Sequence, residues 1–182
     1  MSKYLGPGTE LSEQPSTESV VSEQQVQIAL ENLRTEQSLV NGTVAGIVAA
    51  IVGAGIWAVV TVMTENQIGW MAIGIGFLVG FAVRFAGKGI DKVFGIIGAA
   101  LSLVGCALGN VFAITYFIAI NEGIAFTDVL GQLEPAIVFE LLISTFEVMD
   151  LLFYGLAAYF GYRYAFRQIT EEDYSRALGK SL

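Results

Sequence analysis

The chain is 182 residues long, 54% apolar and 14% charged, with a formal net charge of −8, one Cys and no His. That is the profile of a membrane protein, and 182 residues built largely of apolar runs leave no room for a separate soluble enzyme domain. Without His, the haem, copper, zinc and imidazole-base chemistries lose their commonest ligand or base, and the lone Cys106 allows no intramolecular disulfide.

Residues 1–40 read as a cytoplasmic segment. They lack the basic start and apolar core of a secretory signal and are polar and Glu-rich instead. Up to Val21, with Gly6-Pro7-Gly8 and scattered Ser, Thr and Glu, the composition predicts a disordered tail. From Ser22, an N-cap residue type, Val26, Ala29, Leu30 and Leu33 recur at helical spacing and predict a narrow amphipathic helix over about 22–38. Such a stripe suits a helix lying on the bundle or the membrane surface, with a partner-binding helix as the alternative. Asn41-Gly42 is then read as a break before the membrane.

A hydrocarbon core of about 30 Å needs roughly 20 apolar residues per helix. Within 41–166 the spans are placed at about 42–63, 68–85, 93–120 and 135–166. Short cytoplasmic loops retain Lys and Arg, and all nine of these residues fall on one side of that layout. Lys3 and Arg34 precede the first span, Arg84, Lys88 and Lys92 fill the turn between the second and third, and Arg163, Arg167, Arg176 and Lys180 follow the fourth. The other two connections contain none. The expected fold is an all-α membrane protein, a four-transmembrane-helix bundle with N and C termini cytoplasmic and residues 167–182 as a cytoplasmic tail.

The outer side is the least ordinary region. At 1.5 Å per residue the third span would run about 42 Å and the fourth, from Pro135 with no breaker before Gly155, about 48 Å. Both are therefore expected to extend beyond the bilayer. If the hydrocarbon begins near Glu147, residues 135–146 protrude and Glu140, Ser144 and Glu147 face water. If it begins near Glu140, Glu147 and Asp150 sit about 10 and 15 Å deep, each costing about 3 kcal/mol unless paired or protonated. No basic residue on that side can pair them, so the first placement is preferred.

Glycine and the intramembrane polar residues supply the remaining candidates. Gly42/Gly46, Gly76/Gly80 and Gly105/Gly109 put small residues four apart in the first three spans, which lets helix backbones approach in lipid. None of the Gly tracts has the spacing of a dinucleotide fingerprint or a P-loop. Asn110, late in the third span, is expected to tie two helices, or with Glu147 and Asp150 to handle a cation or proton. Arg84, Lys88 and Lys92 form a compact basic turn that topology explains and that would also suit anionic lipid.

The runs Trp70-Met71-Ala72-Ile73-Gly74-Ile75-Gly76, Val83-Arg84-Phe85-Ala86-Gly87-Lys88-Gly89, Gly95-Ile96-Ile97-Gly98 and Asp150-Leu151-Leu152-Phe153-Tyr154-Gly155 resemble a group of uncharacterised bacterial multipass inner-membrane proteins over about 40–173. The resemblance implies four spans in a bacterial plasma membrane and carries no activity, cofactor or site residue. Two function classes follow, with a membrane enzyme third, since paired carboxylates alone do not define a reaction. The first is a non-enzymatic protein acting by association, as an accessory or scaffold subunit or a self-associating bundle. Its contact surface would be an apolar hairpin of Phe112, Tyr116, Phe117 and Ile118 with Ile137, Phe139, Leu142 and Phe146. The second is a small oligomeric transporter or channel using Glu147, Asp150 and Asn110. Membrane lipid, and a second copy or another membrane protein, are the expected partners; no cofactor, metal or nucleic acid is expected.

Overall fold

The structure, a computed structural model, describes residues 23–66, 68–170 and 173. The readings made for residues 1–22, including the Ser22 cap, and for the end of the chain fall outside them. The described residues form α-helices joined by short turns, with no strand among them.

Helix α1 (Glu23–Thr35) buries Ala29 and Leu33 and half-buries Leu30, so its apolar stripe is turned onto protein. Helix α2 (Leu39–Thr64) begins earlier than expected, because the Ser38 hydroxyl accepts the Asn41 N–H at 3.3 Å and caps it. Asn41-Gly42 is therefore not a break. Gly42 lies inside the first turns, where a Cβ would come within 3.1 Å of the Gly87 Cα. Helix α3 (Trp70–Gly87) ends at Lys88, which adopts the left-handed region (φ 48°) and returns its N–H to the Arg84 carbonyl at 2.9 Å. Helix α4 (Lys92–Glu122), about 46 Å long by its rise, stops at Gly123 with φ 67°, a conformation glycine adopts freely.

The single helix expected over 135–166 is two. A short helix α5 (Phe126–Gly131), not foreseen in the loop, leads to α6 (Pro135–Thr145), and the chain breaks at Phe146-Glu147 before α7 (Val148–Tyr164). No Gly or Pro causes the break. Glu147 and Asp150 form a capping box, in which the Asp150 carboxylate accepts the Glu147 N–H at 2.9 Å and the Glu147 carboxylate accepts the Asp150 N–H. Upstream, the Ser144 and Thr145 hydroxyls both donate back to the Leu141 carbonyl, at 3.1 and 2.8 Å, closing off the end of α6. α6 folds onto α4 instead of prolonging α7.

Helices α3 and α4 pack on each other, with α2 and α7 on opposite sides of that pair. α7 runs parallel to α3, since Gly69 lies beside Phe153, Gly76 beside Ala157 and Gly80 beside Gly161; it runs antiparallel to α4, with Gly98 beside Gly161. The starts of α2 and α4 and the ends of α3 and α7 thus share one end of the bundle. All the described basic residues, Arg34, Arg84, Lys88, Lys92, Arg163 and Arg167, collect there. Trp57, Ile75, Val79, Val83, Phe94 and Cys106 are buried between the helices, while Val48, Ile51, Val52, Ile56 and Val59 of α2 and Ile96 and Val104 of α4 face outward. Helices apolar on both faces suit lipid. Helices α2, α3 and α4 are each long and apolar enough to cross a membrane.

Close approach depends on missing side chains. A Cβ on Gly76 would come within 2.5 Å of the Ala157 carbonyl oxygen, and one on Gly161 within 2.5 Å of the Gly98 carbonyl oxygen. Gly155 on the same helix α7 has open space around it. Gly76→Ala and Gly161→Ala should each destabilise the protein by about 1–3 kcal/mol, while Gly155→Ala should be neutral or stabilise by up to about 1 kcal/mol. Thermal unfolding in detergent measures this, and equal tolerance at the three positions would show that the backbones do not touch.

Candidate functional site

The polar side chains inside the bundle gather toward the end opposite the basic residues. On α2, Trp57 and Thr61 lie one turn apart on one face, and Glu65 follows just past the helix end. Gly109 on α4 lets the indole lie against the backbone, since a Cβ there would be 3.0 Å from the Trp57 Cγ. Beside it Asn110, also buried, donates from Nδ2 to the Tyr154 hydroxyl at 2.7 Å and ties α4 to α7. Tyr154 stands one turn beyond Asp150, which is buried, while Glu147 is exposed. Both carboxylates serve the start of α7, where the helix dipole favours negative charge.

Two buried polar atoms of α2, Trp57 Nε1 and Thr61 Oγ1, have no hydrogen-bond partner among the described residues. Leaving such atoms unsatisfied costs on the order of 1–3 kcal/mol each. Thr61 lines a pocket of about 160 Å3 with Glu65, Asn110, Thr145, Ala113, Ile114 and Phe117. At roughly 30 Å3 per water it has room for about five. Two hydroxyls, an amide and a carboxylate among these residues can hydrogen-bond water, and their oxygens can coordinate a small cation. Glu65 itself is held in the left-handed region (φ 53°), beyond a helix end where the Asn66 amide donates to the Thr64 carbonyl at 2.6 Å. Among the described residues no cluster of three or more His, Cys, Asp or Glu could hold a metal ion.

Comparison with protein-family models, with curated proteins and with solved structures finds no match. Function has to be read from the residues themselves. Of the candidate trio, Asn110 is committed to Tyr154 and Glu147 and Asp150 to the capping box. Thr61, Glu65 and Tyr154 were not singled out from sequence. The available signal was the spacing of four that puts Trp57 and Thr61 on one face of α2, and Asp150 and Tyr154 on one face of α7. Of the glycines, Gly42 meets Gly87, Gly46 meets Leu101 and Val83, Gly76 and Gly80 meet α7, Gly105 meets Ile75 and Ala50, and Gly109 meets Trp57. All these contacts lie within one bundle.

At the basic end the turn after α3 is pinned from two sides. The Ser38 N–H donates to the Gly87 carbonyl (2.9 Å), the Ile90 N–H to the Gln37 side chain (3.1 Å), and the Arg167 N–H to the Gly89 carbonyl (2.8 Å). Asp91 pairs with Arg34 at 3.3 Å, and the Arg167 guanidinium bridges Glu36 (2.8 Å) and Asp173 (2.7 Å). Lys88 and Lys92 are exposed, whereas Arg84 turns to a pocket it shares with Arg163 and Arg167. The expected grouping of Arg84 with Lys88 and Lys92 is thus rearranged, because the last turn of α3 faces α7. The hydrogen bond to Glu36 raises the Arg167 pKa above its usual value despite some desolvation. Burial pushes the Asp173 carboxyl up, but the hydrogen bonds from Arg167 and Thr170 outweigh it and hold it below the ordinary carboxylate range.

Two outcomes follow from these contacts. A double-mutant cycle of Asn110→Ala and Tyr154→Phe should give a coupling of about 0.6–1.7 kcal/mol in detergent unfolding, the range for hydrogen bonds between membrane helices; additive losses would mean the pair does not interact. Because the folded-state pKa of Asp173 is depressed, its contribution is complete above the unfolded carboxylate value of about 4 and is lost as pH falls through the folded one. Hydrogen exchange at the Arg167 amide should accelerate at pH 3, beyond its intrinsic pH dependence, relative to pH 6. Asp173→Asn should show the faster exchange at both.

Proposed function

We propose that this chain is a four-pass protein of a bacterial plasma membrane, with both termini cytoplasmic, that acts by self-association and catalyses no reaction. The observation that carries this reading is α6. Its sequence is apolar apart from Glu140 and its terminal Ser and Thr, yet none of its residues is buried, and Ile137, Phe139 and Ile143 lie open. An uncovered apolar helix is costly in water and marks a surface that another body covers. The same outer end carries a groove of about 570 Å3 between α2 and α4, lined by residues such as Val59, Val62, Phe112, Tyr116 and Phe126. An exposed apolar helix and an apolar groove suit a head-to-tail contact between copies.

The collection of basic residues at one end of the bundle supports a cytoplasmic location for that end. In this reading α7, of 17 residues, serves as the fourth span; its rise of about 26 Å starts at the capping box, which would put Glu147 at the outer boundary. The bacterial setting rests on the sequence resemblance.

A second reading, a cation-handling oligomer, is favoured by the polar pocket at Thr61 and Glu65. The two are separated in native membranes. With Cys106→Ala as background, Ile143→Cys on α6 and Val59→Cys in the groove should give a disulfide-linked dimer when the two variants are co-expressed and oxidised, and none when either is expressed alone. Absence of the mixed dimer would overturn self-association. Reconstituted protein should pass no cation current, and flux that Glu65→Gln abolishes would establish the second reading.

A further inference from the structure

The pocket at the basic end is lined by Arg84, Arg163, Tyr164, Phe166, Arg167 and Gln168 and has a volume of about 190 Å3. It forms because α3 and α7 run parallel, so their last turns deliver Arg84 and Arg163 to one rim. The three guanidinium groups are not equivalent. Arg167 is occupied by Glu36 and Asp173, which fix its position. Arg84 and Arg163 have no carboxylate partner among the described residues; the recorded contact of Arg84 is with the Phe85 ring, 5.7 Å from its centroid. Two cations without such a partner are therefore held at one concavity, together with Tyr164 and Gln168. An arrangement of like charges is relieved by an anion, and guanidinium forks match phosphate oxygens in geometry.

What lies below the pocket narrows the ligand. Phe77, Phe81 and Phe85 repeat at intervals of four on α3, and Phe160 and Tyr164 of α7 stack against them, with Phe77–Phe160, Phe77–Tyr164 and Phe81–Tyr164 centroid distances of 4.5, 4.7 and 5.2 Å. Phe85 is exposed and the other four rings are half-buried, so an aromatic wall runs from the pocket toward the middle of the bundle. A free anion has no use for that wall, whereas an acyl chain does. We propose that Arg84 and Arg163 bind the phosphate of an anionic phospholipid whose acyl chain lies along Phe77, Phe81 and Phe160. A zwitterionic lipid is disfavoured because its ammonium group would meet the same cations.

The site deepens the membrane reading and rests on it, and one experiment keeps the two apart. The full chain, purified and delipidated in detergent, is titrated with phosphatidylglycerol, phosphatidylcholine and inorganic phosphate, with binding read by native mass spectrometry and by the shift in unfolding temperature. Phosphatidylglycerol should bind and raise that temperature, and the other two should not. Arg84→Gln with Arg163→Gln should weaken phosphatidylglycerol binding about thirtyfold, at roughly a factor of five per lost charge. Its lipid-free unfolding temperature should not change, since neither residue makes an ion pair among the described residues. Lys88→Gln with Lys92→Gln, which changes charge at the same end outside the pocket, should leave the affinity within about twofold. Equal loss in both double variants would reduce the site to diffuse surface charge and overturn the proposal, as would equal binding of phosphatidylcholine or an Arg84- and Arg163-dependent binding of inorganic phosphate. Flotation with pure phosphatidylcholine vesicles tests the membrane reading separately: a chain that floats but shows no phosphatidylglycerol preference loses only the site, and one that does not float loses both.

Discussion

Contact between backbones at Gly98 and Gly161 is the constraint on which the rest of the arrangement depends. Each glycine lies so near the other's carbonyl that a Cβ at either would collide, and the Ser102 hydroxyl, which donates to the Gly98 carbonyl at 2.7 Å, fills the neighbouring space. In lipid, apolar side chains gain little by leaving one set of hydrocarbon neighbours for another, so helix pairs are held by closely fitted surfaces. Gly76 and Gly80 repeat the device between α3 and α7, and Gly105 and Gly109 between α4 and α2. With α7 anchored to both central helices, its rotation and height are set, and with them the direction of every polar side chain it carries.

That placement decides the chemistry at both ends. At one end the height of α7 brings Tyr154 to Asn110 and leaves Asp150 at the helix start, where its carboxylate is satisfied by backbone N–H and by the dipole instead of a cation. At the other it brings Arg163 beside Arg84, and the segment after α7 crosses back to hydrogen-bond the turn between α3 and α4 through Arg167. The two ends are electrostatic opposites. The basic end is knit by ion pairs to Glu36, Asp91 and Asp173, whereas the other, with Glu65, Glu122, Asp128, Glu134, Glu140, Glu147 and Asp150, has no Lys or Arg among the described residues.

Three apolar helices, and the gathering of Lys and Arg at a single end, were legible in the amino-acid order, because hydropathy and charge along a chain are one-dimensional quantities that lipid reads directly. The apolar stripe of α1 was legible for a similar reason: a period of 3.6 requires only the residue spacing. Helix ends were less so. The Glu147-x-x-Asp150 box that separates α6 from α7 was present in the sequence but competed with an unbroken apolar run, and the Ser38 cap overrode the turn signal of Asn41-Gly42. Both outcomes depended on which backbone N–H groups found an acceptor. Only the tertiary structure could bring Thr61 and Asn110 to one pocket, pair Asn110 with Tyr154, and detach Arg84 from Lys88 and Lys92 to join Arg163 and Arg167. These groupings join residues up to 83 positions apart on helices whose relative rotation and height follow from glycine contacts, and no local pattern encodes a contact between two helices.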